Sequence, residues 1–257
     1  MRIDKYLVTY KYADSRTKAE KYILDGAVLL DGQIILKPSY NVDETIGHNL
    51  EITKNDRYVS RGGLKLEGAL RSFEVDVSGL KMVDIGSSTG GFTDCLLQNG
   101  AGSVLAVDSG RNQLHPRLRC DERVSLCEEY NARYINAKEV GMFDGAVMDV
   151  SFISQTLIIP ALVGVIRDGG FIISLIKPQF ESGKSSIGKG GIVKNPEARE
   201  RAVKNVVSCA ENCGMKCAGL VKSPITGGDG NIEYLGYFIK NAEYKAHDIS
   251  YKKISRE

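Results

Sequence analysis

The chain has no C-x-x-C pair among its six cysteines and only three histidines, His48, His115 and His247. Structural zinc needs closely spaced thiolate and imidazole ligands, so composition argues against such a site, and no metal is expected. Six scattered cysteines in 257 residues do not make a disulfide framework either. Cys209, Cys213 and Cys217 recur every four residues, which on a helix is one face, and are read as packing. Long apolar runs are also missing. The longest, residues 157–166, is broken by Pro160 and Gly164 and falls well short of the ~20 residues that cross a bilayer. The opening MRIDKYLVTYKYADSR has no unbroken apolar segment of the signal-peptide kind, so a cytoplasmic protein is expected. Excess charge is scarce too: a net charge of +2 and a pI near 8.1 are too mild to establish a nucleic-acid partner, which must rest on local clustering.

What is present is an ordinary globular composition, 42% apolar, long enough for one large domain and one small one. RIDKYLVTY predicts a first helix, and Asp14-Ser15 caps a second, RTKAEKYIL, that Gly26 ends. AVLLDGQIIL reads as a hairpin turning at Asp31-Gly32, and HNLEI as a short strand. Over residues 1–60 nine basic side chains meet nine acidic ones, so composition does not decide between RNA contact and a solvated face. After a polar joint, TKNDRYVS, the segment GGLKLEGALRSF predicts a helix. The apolar runs KMVDI, SVLAVD, VSLCEE, GAVMDV and GFIISLIK then alternate with helix-length segments, with MKCAGLVKS and EYLGYFIK as late strands. That alternation is the pattern of an α/β, doubly wound, mostly parallel sheet.

Residues 83–92, VDIGSSTGGF, end an apolar run in an acid and three glycines, and Asp108 closes the next run, VLAVD. Gly86, Gly90 and Gly91 permit a close approach of backbone and ligand, while Asp108 at a strand's carboxyl end can bind both hydroxyls of a ribose. The spelling is not the dinucleotide G-x-G-x-x-G but D-x-G-x-x-x-G-G, which favours S-adenosylmethionine over NAD or FAD. Asp84, Asp108, Glu128, Asp149 and Lys177 all fall at strand ends, where such sheets bind ligands. Asp149 and Lys177 are the sharpest pair, with a single salt bridge at a sheet edge as the lesser alternative. Lys65 and Glu233 alone would pass for surface charges. The GKS string in residues 181–196 is not a phosphate loop, because Pro178 stands where that pattern needs glycine. That loop reads either as a mobile lid over RNA or as a mere connection. RNQLHPRLR is a second basic stretch beside the cofactor crevice.

Ser15 to Val28, SRTKAEKYILDGAV, resembles the recognition helix and turn of the RNA-binding module named after ribosomal protein S-four. The resemblance implies structured RNA, with Arg16, Lys18 and Lys37 as phosphate contacts; Arg61, Lys184 and Lys189 are further candidates. From SRGGLKL onward the chain resembles the FtsJ-like ribose methyltransferases, whose Lys-Asp-Lys-Glu tetrad falls in SRGGLKL, VMDVSF, LIKPQFE and GNIEYL, as Lys65, Asp149, Lys177 and Glu233. Together the two parts resemble the TlyA (hemolysin A) family of ribosomal RNA methyltransferases. That resemblance implies a Rossmann-like class I methyltransferase sheet of seven strands with a small α+β RNA-binding domain. The expected boundaries are 1–56 for the RNA-binding domain, 57–60 for a linker, 61–245 for the methyltransferase and 246–257 for a tail. It further implies methyl transfer from S-adenosylmethionine to a 2′-hydroxyl of rRNA, with cytidine as the suggested target and rRNA or ribosomal subunits as partners. Lys177 would take the proton, Lys65 would position the hydroxyl or steady developing charge, and Asp149 and Glu233 would orient the two lysines. Asp84, Gly86, Ser88, Gly90, Gly91 and Asp108 would hold the methionine and ribose parts of the cofactor, and Glu128, Glu129 and Asn131 its adenine side. Rival readings are a membrane cytolysin, which would need a spanning helix or barrel strands, and a non-catalytic RNA-binding assembly factor.

Overall fold

The computed structural model describes residues 1–24, 26–52, 57–183, 186–188 and 190–241. The chain divides into two compact units, Met1–Arg57 with Gly228–Gly230, and Tyr58–Gly227 continued from Asn231. In the first unit, helices α1 (Ile3–Thr9) and α2 (Arg16–Leu24) precede strands β1 (Val28–Leu30), β2 (Gln33–Ile34) and β3 (Leu50–Ile52). The Ser15 hydroxyl accepts the Lys18 N–H at 3.2 Å, the side-chain cap its place before α2 predicts. The strands form an antiparallel sheet in the order β2-β1-β3. Asp31 and Gly32 both take positive φ, 51° and 78°, which gives the hairpin its tight two-residue turn. Ile3, Leu7, Ile23, Val28 and Leu50 make this unit's separate core.

The second unit runs through α3 (Gly62–Phe73), β4 (Lys81–Ile85), α4 (Gly91–Gln98), β5 (Ser103–Val107), α5 (Pro116–Arg119) and β6 (Val124–Cys127). It continues through α6 (Ala137–Val140), β7 (Phe143–Met148), α7 (Ile159–Val163), β8 (Ile166–Ile176), α8 (Pro178–Glu181), α9 (Pro196–Asn212), β9 (Met215–Lys222) and β10 (Tyr234–Lys240). Seven strands form one sheet in the order β6-β5-β4-β7-β8-β10-β9. The first five pair in parallel, and β10 lies antiparallel between β8 and β9. Both faces are buried, so these strands read as continuous apolar runs. Val83, Ile85, Ala146 and Met148 point to one core beneath α7 and α9, while the alternate residues Met82 and Val147 point to a second beneath α3 and α4. Strand order reverses at β4, which opens a crevice at the carboxyl ends of β4, β5 and β7.

Several local expectations are corrected. Cys209, Cys213 and Cys217 do not share one helix, because α9 ends at Asn212 and Cys217 lies on β9; packing still explains them, since Cys217 is in the core and the other two lie against it. The connections from β6 to β7 and from β7 to β8 are not long helices. Asn131, Asn136 and Ser154 each cap a backbone N–H and start only short turns, Ala132–Tyr134, α6 and Gln155–Leu157, while α7 is brief. Residues 58–60 of the expected linker belong structurally to the second unit: Tyr58 is buried in its core and the Val59 N–H bonds Asp94 Oδ2 at 2.8 Å. The expected tail, 246–257, lies outside the described residues. Among the described residues no helix is long and apolar enough to cross a membrane, and no cluster of metal-ligating side chains occurs.

Candidate active site

The glycine turn after β4 is shaped by the protein itself as much as by any ligand. Gly86 has φ 81°, and a Cβ there would lie 2.5 Å from the Asp149 carbonyl oxygen on the neighbouring turn. At Gly91 a Cβ would come within 2.2 Å of Ser60 Oγ. Gly90, at φ 95°, would collide with Leu118 and Leu114. Larger residues would therefore push apart the turns that frame the crevice.

Two adjoining cavities lie over this turn. One, of about 390 Å³, is bordered by Gly86, Ser88, Asp108, Asn131, Asp149 and Phe152. Both Asp108 oxygens are fixed by backbone donors, Oδ2 by Ser88 N–H at 2.8 Å and Oδ1 by Gly110 N–H at 2.7 Å. A carboxylate so fixed retains lone pairs for a ribose diol, and the volume suits a nucleoside-bearing ligand. Asp84 does not border the cavity. It is fully buried behind the turn, where Oδ2 accepts the Thr93 hydroxyl at 2.6 Å and Oδ1 has no hydrogen-bond partner among the described residues. Burial, against the opposing bond from Thr93 and with a further push from Asp149, raises the Asp84 carboxyl to about 7. A cationic ligand in the crevice would favour its ionised form, so a positively charged cofactor fits this donor set.

The second cavity, of about 190 Å³, is bordered by Lys65, Lys177, Asp149, Ser60, Ser88 and Ser151. Lys65 rises from α3 and Lys177 from the end of β8, where Pro178 follows it and its φ of −109° and ψ of 101° are extended. Lys177 Nζ lies 2.6 Å from Asp149 Oδ1 and donates to Ser151 Oγ at 2.8 Å. Lys65 Nζ donates to Glu233 Oε2 at 2.5 Å, and both of these side chains are buried. Glu233 borders neither cavity and reaches the second through Lys65. Four residues that sequence reasoning brought together thus form two lysine–carboxylate pairs, and Asp149 borders both cavities.

Other expected residues sit elsewhere. Glu128 is turned onto Arg119, and Glu129, at φ 55°, is exposed with its carboxylate 3.9 Å from Arg111; neither borders the crevice. Tyr130, Asn131 and Ala132 do. Arg117 is paired with Asp94 at 2.7 Å, so all three arginines of RNQLHPRLR have acidic partners. Arg16 bonds the buried Asp4 at 2.8 Å and lies 3.4 Å from Glu20, while Lys18 pairs with Asp14 at 2.5 Å. Lys37 is exposed, and Arg61 donates to the Thr226 carbonyl at 2.6 Å. Lys184 and Lys189 lie outside the described residues. Sequence reasoning missed Ser60, Ser151 and Phe152. Ser151 and Phe152 directly follow the strand-end Asp149, which was the available signal; Phe152 is 92% exposed and its φ is 64°.

Comparison with known proteins shows the family. Residues 58–240 match the FtsJ-like methyltransferase family and residues 1–45 match the S4 domain. The chain is 48% identical to the Bacillus subtilis protein YqxC over 91% of its own length and 84% of that protein. It is 42% identical to the 16S/23S rRNA (cytidine-2′-O)-methyltransferase TlyA of Mycobacterium tuberculosis, over 91% of this chain and 87% of that one. A solved structure from Streptococcus thermophilus is 41% identical, with a TM-score of 0.78, covering 100% of this chain and 94% of that chain. The paired lysines and carboxylates at the carboxyl ends of this sheet therefore belong to a member of the FtsJ-like methyltransferase family, joined to an S4 domain.

Proposed function

We propose that this protein transfers a methyl group from S-adenosylmethionine to a ribose 2′-hydroxyl of ribosomal RNA, at a cytidine. The observation that carries the reading is the pair of adjoining cavities with Asp149 bordering both and two lysines bordering the smaller one. The larger cavity is the donor side, where Asp108 holds the cofactor ribose and Asn131, Tyr130 and Ala132 flank the base. When bound, S-adenosylmethionine supplies a methyl on a positive sulfonium, a good leaving group. The smaller cavity takes the acceptor sugar. A sugar hydroxyl is a weak nucleophile, so a base must take its proton while its oxygen is held in line with the methyl. Lys177 Nζ, positioned by Asp149 and Ser151, takes that proton as the neutral amine, having first given up its own proton. Lys65, fixed by Glu233, donates to the hydroxyl oxygen and steadies its developing negative charge. The exposed Phe152 ring, at the border of the larger cavity, offers an apolar face on which an unstacked base can rest.

The acceptor class is supported by the S4 domain at residues 1–45 and by the relative's name, which specifies rRNA, cytidine and the 2′-oxygen. The testing experiment compares wild type with Lys177→Ala, using tritiated S-adenosylmethionine and ribosomal subunits as substrate. Methyl transfer should fall at least about a hundredfold, the scale of a lost general base, while calorimetry finds cofactor affinity nearly unchanged. Near-normal turnover by the variant would remove Lys177 from the base role.

A further inference from the structure

Asp149 and Lys177 lie on turns beyond two neighbouring strands. The ladder between those strands ends at Met148 and Ser174, so sheet hydrogen bonds alone do not fix one turn against the other. A polar network does. Glu181, the last residue of α8, accepts the Ser154 hydroxyl at Oε2, at 2.5 Å, and the Gln155 N–H at Oε1, at 2.8 Å. Gln155 is buried and continues the network into β8: its Nε2 donates to the Leu175 carbonyl at 2.5 Å and its Oε1 accepts the Ser174 hydroxyl at 2.5 Å. The turn that begins at Asp149 is thus gripped from both sides, by the strand before Lys177 and by the helix after it. Phe180, next to Glu181, packs on Phe152 with ring centroids 5.2 Å apart and lies 5.9 Å from Lys177 Nζ. Burial raises the Glu181 carboxyl, and the bonds from Gln155 and Ser154 oppose that shift.

We propose that Glu181 is a positioning residue for methyl transfer, clasping the turn of residues 149–155 to the turn of residues 177–182 and so holding Asp149 and Ser151 in register with Lys177. The inference rests on the reading of Lys177 and Asp149 as the machinery of RNA methylation. Only an ionised carboxylate accepts hydrogen bonds at both oxygens without presenting a donor of its own, which is why this position uses Glu. Glu181 itself touches neither cavity, so its replacement removes no direct cofactor contact, and its effect falls first on the register of Asp149 and Ser151 with Lys177.

Glu181→Gln keeps the volume but points an amide N–H₂ at one of the two donors, opening the clasp on that side. Misplacing reacting groups by about 1 Å changes rates on the order of a hundredfold, so kcat on ribosomal subunits should fall on the order of ten- to a hundredfold. KM and Kd for S-adenosylmethionine should stay within about threefold, since no cofactor contact is removed. Ser154→Ala, which removes the bond to Glu181 together with the cap on the Thr156 N–H and the bond to the Thr156 hydroxyl and adds no buried donor, should lower kcat by roughly three- to tenfold, and the double variant should be at most slightly slower than Glu181→Gln alone, because the Ser154–Glu181 bond is weakened or lost in both. Asp144→Asn is the control for simple destabilisation. Asp144 sits at the far end of β7, bound to the Lys81 N–H at 2.8 Å and to Arg167, and its loss should lower Tm with kcat unchanged. All variants are compared well below their melting midpoints. Wild-type kcat in folded Glu181→Gln, or an equal fall in Asp144→Asn, would overturn the clasp. Failure of the wild type to methylate rRNA would overturn both the clasp and the reading beneath it.

Discussion

Asp84 offers a sharp test of how the cofactor turn trades stability for function. Its carboxyl ordinarily titrates at 3.8 and is raised to about 7 in the fold, chiefly by burial. A group raised on folding contributes most below its unfolded value and loses that contribution as pH climbs through its folded value. The loss therefore runs from about pH 4 to about pH 7. Across that window, at about 1.4 kcal/mol for each step of one in pH, the loss comes to roughly 4 kcal/mol as an upper bound. Asp84→Asn does not titrate, and its amide oxygen can still accept the Thr93 hydroxyl. Its amide nitrogen would occupy the place of the unpartnered Oδ1, a pH-independent penalty of about 1–3 kcal/mol. The variant should thus be the less stable protein below about pH 4 and the more stable one above about pH 7, while binding S-adenosylmethionine more weakly. Urea unfolding of the cofactor-free proteins at a series of pH values measures this. Parallel stability curves would refute the reasoning, because they would mean that Asp84 does not change ionisation on folding.

Glu233→Gln leaves Lys65 buried and charged without its partner, so it should destabilise the larger unit by about 3–5 kcal/mol and also abolish transfer. Replacing both, Lys65→Met with Glu233→Leu, should recover most of the melting temperature and none of the activity; equal losses of stability would contradict a buried pair. His48 in the small unit meets two acceptors, Asp31 Oδ2 at Nδ1 and the Asp43 carbonyl at Nε2, at 2.7 and 2.8 Å. The Asp31 bond raises its pKa above 6.5 despite desolvation. The stability it contributes is complete below about pH 6.5 and fades as pH rises through the higher folded value. NMR titration should find the raised value, and His48→Gln should remove that pH dependence.

The parallel strands were legible in the sequence because a strand buried on both faces is a continuous apolar run, and a charge closing such a run needs a reason. Asp84, Asp108, Asp149 and Lys177 stood out on that ground. Lys65 and Glu233 did not, since one lies on a helix and the other in a loop before β10; only their family pattern marked them, and the fold then joined them as one buried pair. Side-chain direction was harder to read. A left-handed turn at Glu129 sends its carboxylate outward, and Arg119 draws Glu128 away from the crevice, neither of which spacing can reveal. The ion pairs of Arg16 and Lys18 were hidden for the same reason, as their acidic partners are common residues at ordinary separations. The Glu181 clasp depends on which loops the sheet brings together, and that is a property of strand order, not of local pattern.

The central claim, that the paired lysines and carboxylates serve methyl transfer to a ribose of rRNA, is tested most directly by mapping 2′-O-methyl groups. Ribosomal RNA is compared from cells that carry the wild-type protein, the Lys177→Ala variant, or neither. The account predicts at least one methylated cytidine ribose that is present with the wild type and absent in the other two. Identical maps in all three would contradict it.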